Sequence, residues 1–205
     1  MATITISRQF GAGGRTLGEK LAKRLGYYYA DDVMVKEVAQ RMNVSSKAVR
    51  GFEKEGASNL MKILDKFISK DYIDRLISNK YGHVYEEKYV ESIRSIVRGL
   101  HEQGNVVIVG RGSQYILKDE KKAIHVFLVK GLDGRIRFIS ENYMMRNEEE
   151  VRRIINRADK IRENFLSFFS NNESHDNPLL YDLTLNMNRI DMDLALKLVV
   201  DLISE

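Results

Sequence analysis

Between Thr3 and Leu25 the chain passes from an alternating apolar run, through a glycine-rich loop, into an amphipathic helix. No other stretch constrains the fold as strongly. Thr3-Ile4-Thr5-Ile6 reads as a strand. Ser7-Arg8-Gln9-Phe10-Gly11-Ala12-Gly13-Gly14-Arg15-Thr16 reads as the loop. Leu17, Leu21, Ala22 and Leu25 then recur at helical spacing before Gly26 ends the helix. A glycine loop in this setting curls so that several N–H groups point inward, and the helix N-terminus adds partial positive charge. The arrangement therefore suits a phosphate. The usual phosphate-loop pattern, G-x-x-x-x-G-K-[ST], requires a lysine. Aligned on Gly13, the lysine position holds Gly14, with Arg15 and Thr16 after it. Other readings stay open here. A dinucleotide fingerprint would use Gly11 and Gly13 with Asp31 at a tolerable distance, but its third glycine position is Thr16. A purely structural glycine turn is the plainest alternative.

Length and composition narrow the class. At 205 residues the chain has room for one domain with a sizeable core, or for one domain plus a mobile subdomain. With 43% hydrophobic and 30% charged residues it reads as soluble and globular. A net charge of +4 suits an anionic ligand and is too weak to argue for nucleic acid. The lack of cysteine excludes disulfides, thiolate zinc sites and a cysteine nucleophile. No apolar run approaches the roughly 20 residues that span a bilayer, and the start has no signal-peptide pattern. The expectation is a cytoplasmic protein with neither nucleic-acid nor membrane partners. A homodimer is compatible with the sequence, which carries no signal for oligomeric state.

Farther along, Tyr27-Tyr28-Tyr29-Ala30 reads as a second strand with Asp31-Asp32 at its end, and a helix follows from Val33 to Met42. Strand, helix and strand within about thirty residues form a βαβ unit, so the sheet is expected to be parallel. From Asn43 to about Gly104 the spacing predicts helices. Leu60, Ile63, Leu64, Phe67 and Ile68, then Ile73, Leu76 and Ile77, mark one long helix. Tyr89, Val90, Ile93, Ile96, Val97 and Leu100 mark another, with Asn79–His83 a loop between them. Val106–Val109 is a continuous apolar run, as expected of a strand buried on both faces, and Ile124–Val129 reads as a further buried strand. Gly110-Arg111-Gly112-Ser113 follows the first of these. A helix over Leu132–Met145 carries Arg135 and Arg137, and Asn147–Phe169 is a charged helical stretch. Tyr181–Leu185 is a last strand, and Leu194, Leu198, Val199 and Leu202 mark a final helix. The reading is an α/β fold with a central parallel sheet of about five strands flanked by helices. Ligands bind such sheets beyond the strands' C-terminal ends, and Arg8–Thr16, Asp31-Asp32 and Gly110–Ser113 all fall there.

The stretch Ile4 to Gly18 resembles the opening of the cytidylate kinase-like family, a branch of the P-loop nucleoside monophosphate kinases. Tyr29-Ala30-Asp31, Val107-Ile108-Val109-Gly110-Arg111-Gly112, His125-Val126-Phe127-Leu128, Arg157 to Arg162 and Tyr181-Asp182-Leu183 fit the same family in order. The resemblance implies a P-loop NTPase-like three-layer fold over residues 1–205, with a helical acceptor-side insertion at 43–104 and a lid at 147–172. It implies transfer of the γ-phosphoryl group of ATP–Mg²⁺ to a nucleoside monophosphate, CMP or dCMP above others.

Several roles follow from that resemblance. Gly11, Ala12, Gly13, Gly14 and Arg15 would cradle the ATP phosphates, and the Thr16 hydroxyl would face Mg²⁺. Arg15 or Arg8 would supply the missing lysine's charge, with Arg157 and Arg162 brought by the lid to the transferring phosphate. Asp31, Arg111 and Arg135 would serve the acceptor. Gly112 stands where the family has an acid, which removes a contact used to read cytosine. Each residue also has a plainer reading: Arg8 as a strand-end cation, Asp31 as a helix cap, and the lid as a solvated helix patterned by Glu148–Arg152 and Asp159–Glu163. Arg157 and Arg162 are five apart, so both converge only if the helix breaks between them. The rivals are a kinase for another small phosphoryl acceptor, and a nucleotide-binding module without catalysis. His83, His101, His125 and His175 show no metal-ligand spacing, and His125 is expected to be a hydrogen-bonded core residue.

Overall fold

The computed structural model describes residues 2–30, 32–42, 46, 79–170 and 174–204. Five parallel strands form one sheet in the order β2-β3-β1-β4-β5. They are β1 (Thr3–Arg8), β2 (Tyr28–Ala30), β3 (Val106–Val109), β4 (Ala123–Val129) and β5 (Leu183–Asn186). β1 is central, pairing Thr3–Ile6 with Val106–Val109 on one side and Thr3–Arg8 with Ala123–Leu128 on the other. Among the described residues seven α-helices surround the sheet: α1 (Gly14–Leu25), α2 (Asp32–Met42), α3 (Asn79–Gln103), α4 (Ser113–Ile116), α5 (Leu132–Tyr143), α6 (Glu148–Leu166) and α7 (Met192–Ser204). This is a three-layer α/β fold with an all-parallel sheet.

The layers follow from side-chain alternation. Ile4, Ile6, Val107, Val109, Val126 and Leu128 point to one face, where Leu17 and Leu21 of α1 and Val199 of α7 cover them. Val106 and Ile108 point to the other face, against Val38 of α2 and Ile93 and Val97 of α3. On that second face β1 presents Thr3, Thr5 and Ser7, all buried. Thr3 Oγ1 meets His101 Nδ1 at 2.9 Å, and Thr5 Oγ1 donates to His125 Nδ1 at 2.6 Å. Those rings satisfy hydroxyls that would otherwise be stranded in a core.

Local signals mark several helix ends. Gly26 closes α1 in the left-handed region, its N–H bonded to Ala22 O. Asn147 caps α6, accepting from Glu150 N at 3.2 Å, with Glu148, Glu149 and Glu150 in the first turn to complement the dipole. The loop expected at Asn79–His83 is instead the start of α3. Gly82 costs a helix only about 1 kcal/mol, which a 25-residue helix can absorb. Residues 43–78 of the expected 43–104 insertion, including the helix of Leu60–Ile77, lie outside the described residues apart from position 46.

Candidate active site at the glycine loop

The loop leaves β1 still tied to the sheet. Gln9 N–H donates to Leu128 O at 3.1 Å, and the Gln9 side chain accepts from Lys130 N at 3.0 Å. Gly11 and Gly13 then adopt φ of +84° and +92°, a region that side chains avoid. Gly13 is the N-cap of α1, with no side chain capping it and no acid in the first turn. The N–H groups of Gly14, Arg15 and Thr16 therefore open the helix without an intrahelical acceptor. Such an end carries partial positive charge and favours an anion.

Beside the loop lies a cavity of about 230 Å³ between the ends of β1 and β3 and the side of α6. Ser7, Arg8, Arg111 and Arg162 give it polar walls, and Ile161, Phe165 and Leu166 of α6 give it apolar ones. The β3 end is unusual, because Gly110, Arg111 and Gly112 have φ of +75°, +62° and +66° in succession. Arg111 in the left-handed region costs roughly 1–2 kcal/mol. Ser113 holds the turn, its Oγ and N–H both bonded to Gly110 O at 2.7 and 3.2 Å. Strain of this kind concentrates at functional sites.

Arg162 reaches the cavity through a web of contacts. Its guanidinium donates to Asp176 Oδ1 at 3.0 Å and to Ser7 Oγ at 3.3 Å, and lies 5.3 Å from the Phe127 ring centroid. Tyr181 stacks on Phe127 at 4.7 Å and donates its hydroxyl to His175 O. One turn earlier on α6, Asp159 faces the loop, accepting from Phe10 N–H at 3.0 Å and pairing with Arg135 Nη1 of α5. Burial pushes the Tyr181 phenol up from its usual value, with Ser7 and Arg162 opposing. Burial likewise pushes His175 down, with the Arg162 charge adding to the fall, and Tyr115 Oη lies 3.0 Å from its Nδ1.

The structure brings Arg8, Arg111 and Arg162 to one cavity and sets Arg135 against the loop, its Cβ 3.2 Å from where a Gly11 side chain would begin. Thr16 is half-buried in the first turn of α1. Arg15 points outward and pairs with Glu19 at 3.0 Å, its side chain 71% exposed. Arg157 is exposed, because α6 runs unbroken from Glu148 to Leu166. Asp31 lies outside the described residues. Gly112 is packed under Phe169, so a Cβ there would sit 2.7 Å from the ring. Ser7, Asp176 and Phe169 do not stand out as site residues from sequence, and Asp159 stands out only through its spacing to Glu163 on the same helix. The i, i+3 spacing of Asp159 and Arg162, which puts both on one face of α6, was the signal available.

His125 is the hydrogen-bonded core residue expected. Its Nε2–H donates to Leu117 O at 3.2 Å while Nδ1 accepts from Thr5, which fixes the neutral tautomer. Burial holds its pKa below 6.5, with the Asp182 carboxylate opposing. Among the described residues, no three His, Asp or Glu side chains gather as a metal site, and no helix is long and apolar enough to cross a membrane.

The sequence profile of the cytidylate kinase-like family matches residues 3–189. The chain belongs to the cytidylate kinase-like family. No curated protein sequence matches it. Among solved structures, an uncharacterized protein from Eubacterium ventriosum is similar, with a TM-score of 0.64 and 19% identity over 100% of this chain and 99% of that one. Shikimate kinase from Bacteroides thetaiotaomicron has a TM-score of 0.54 and 14% identity over 100% and 99%. Deoxyadenosine kinase from M. mycoides with bound dATP has a TM-score of 0.50 and 12% identity over 99% and 100%. At these identities the likeness speaks for the fold, which is that of P-loop kinases. This cytidylate kinase-like chain thus carries its glycine loop at the C-terminal end of β1, with an arginine-walled cavity beside it.

Proposed function

We propose that the protein is a cytoplasmic nucleotide kinase that transfers the γ-phosphoryl group of ATP to a nucleoside monophosphate, with CMP or dCMP the first candidates. The observation carrying this reading is the cavity walled by Arg8, Arg111 and Arg162 directly beside the uncapped N-terminus of α1. The ATP phosphates lie along the N–H groups of Gly11 to Thr16, and the acceptor phosphate enters the cavity. An acceptor phosphate oxygen forms the new bond to the γ-phosphorus. The bond to the β,γ-bridging oxygen breaks, and its electron pair leaves with ADP. Such chemistry needs positioning and charge more than covalent help. Mg²⁺ would neutralise the phosphate oxygens. Thr16 offers a half-buried hydroxyl to it, and with no carboxylate cluster among the described residues the ion would arrive with the nucleotide. In this reading 43–104 serves the acceptor side, and 147–172, containing α6, is the lid.

A second reading, a kinase for another small phosphoryl acceptor, is favoured by Gly112. Phe169 fills the space an acidic side chain would need there, so the family's cytosine-reading contact has no room. Titration calorimetry with ATP–Mg²⁺, then coupled ADP release with CMP, dCMP, UMP and AMP, separates the readings. Micromolar ATP binding with turnover on CMP or dCMP supports the first. Turnover confined to UMP, AMP or a non-nucleotide acceptor supports the second. Binding without any turnover leaves only a nucleotide-binding module.

A further inference from the structure

Aligned on Gly13, the phosphate-loop pattern puts its first glycine at residue 8 and its lysine at residue 14. This chain has Arg8 and Gly14 there. We propose that the two positions have exchanged roles, so that Arg8 crosses the loop to supply the cation that the pattern takes from its lysine. The assignment rests on the kinase reading above.

Space is the first argument. A Cβ on Gly14 would lie 2.8 Å from Arg8 Cγ, 3.0 Å from Cδ and 3.1 Å from Cβ. Gly14 sits inside α1 and is not among the positive-φ glycines, so its backbone does not call for glycine. What calls for glycine is the aliphatic stem of Arg8, lying where a side chain from position 14 would start. At the other end, Arg8 Nη1 is 2.6 Å from where a Gly110 Cβ would be. The side chain therefore spans from the first turn of α1 to the end of β3, and glycines at both ends make room for it.

Charge is the second argument. Arg8 lines the cavity together with Arg111 and Arg162, its stem against Gly14 and its Nη1 against Gly110, so that it spans the border between the helix N-terminus and the cavity. That border is where a transferring phosphoryl group passes from donor to acceptor. A guanidinium stays charged and offers planar paired donors to phosphate oxygens. A stem already packed on Gly14 has less rotamer freedom to lose on binding. Arg15, the other candidate, is directed away to Glu19 on the exposed side of α1.

The test compares wild type with Arg8→Met, Arg8→Lys, Gly14→Lys and the double variant Arg8→Gly/Gly14→Lys, by calorimetry with ATP–Mg²⁺ and by turnover. Arg8→Met keeps the stem and removes the charge. It is expected to weaken ATP binding by at least about tenfold and to lower kcat by about a hundredfold. Arg8→Lys recovers part of both. Gly14→Lys alone is impaired because it displaces the Arg8 stem, and the double variant, which restores the pattern's first glycine and its lysine, is better than either Arg8→Met or Gly14→Lys. Thermal unfolding tests the steric half without ligand: Gly14→Ala lowers Tm in wild type and not in an Arg8→Gly background. If wild type binds and turns over while Arg8→Met matches it, or if the loss falls on Arg15→Ala instead, the exchange is overturned and the kinase reading stands. If wild type binds no ATP, the kinase reading fails and takes the role of Arg8 with it.

Discussion

Asp159 and Arg135 form an ion pair against the glycine loop, with side chains only 24% and 11% exposed. The other carboxylate oxygen of Asp159 accepts the Phe10 N–H at 3.0 Å, and Arg135 also reaches Phe10 O at 3.4 Å. Helix α6 is thereby fastened to the loop by a carboxylate that engages a backbone N–H and a guanidinium, the donor types a phosphate oxygen uses. Ile136, Ile139, Val151 and Ile155 pack α5 against α6 next to the pair.

Asp159→Asn is expected to destabilise the protein by about 1–3 kcal/mol, since it leaves the Arg135 charge desolvated without its counter-ion. Urea denaturation checks this. A change within about 0.5 kcal/mol, ordinary for a surface site, would show that the pair does not hold α6 to the loop.

Gly112→Asp, which restores the family's acid, is expected to lose at least about 2 kcal/mol, because it combines a positive φ with a clash on Phe169. It should bring no gain in CMP over UMP turnover unless Phe169 is shortened as well. Paired measurement of Tm and the CMP-to-UMP ratio of kcat/KM for the single and double variants reads both effects.

Asp176→Asn is expected to lower kcat by about ten- to a hundredfold through a misplaced Arg162 guanidinium. Asp176 is half exposed, so stability should change little. Steady-state kinetics with KM for ATP held near wild type would place the effect on positioning. A shift in Tm that tracks the kinetic loss would argue for a structural role instead.

Stability should fall on mild acidification. His125 and His175 both have pKa values lowered in the folded state, so the unfolded chain binds more protons around and below pH 6.5. Their contribution is fully present above 6.5, the unfolded value, and is lost as pH falls from there toward the folded pKa values. Protonating His125 Nδ1 also removes the acceptor of the Thr5 hydroxyl. Denaturation midpoints between pH 7.5 and 5.5 should decline in wild type and decline less in His125→Gln.

The sheet was legible because Val106–Val109 is apolar and Ala123–Val129 is apolar but for His125, in runs too short for helices, and because the β1–loop–α1 order is marked by glycines. The continuity of α3 through Gly82 was not, since a local breaker signal competes with packing that no local window contains. The same reason hid the cross-element pairs. Asp159 was read with Glu163 along its own helix, yet its partner Arg135 lies on α5, and Arg162 is held by Asp176 and Ser7 from other elements. The sequence also offered both Arg8 and Arg15 as replacements for the lysine, with Arg15 the first choice. Only the direction in which each side chain leaves the loop separates them.

Transfer of label from [γ-³²P]ATP to a nucleoside monophosphate, resolved by chromatography of the products, tests the central claim most directly. The account predicts that label moves into a nucleoside diphosphate, in a reaction that needs both Mg²⁺ and acceptor and falls sharply in Arg162→Met. Label that stays in ATP, or appears only as inorganic phosphate whichever monophosphate is supplied, would contradict it.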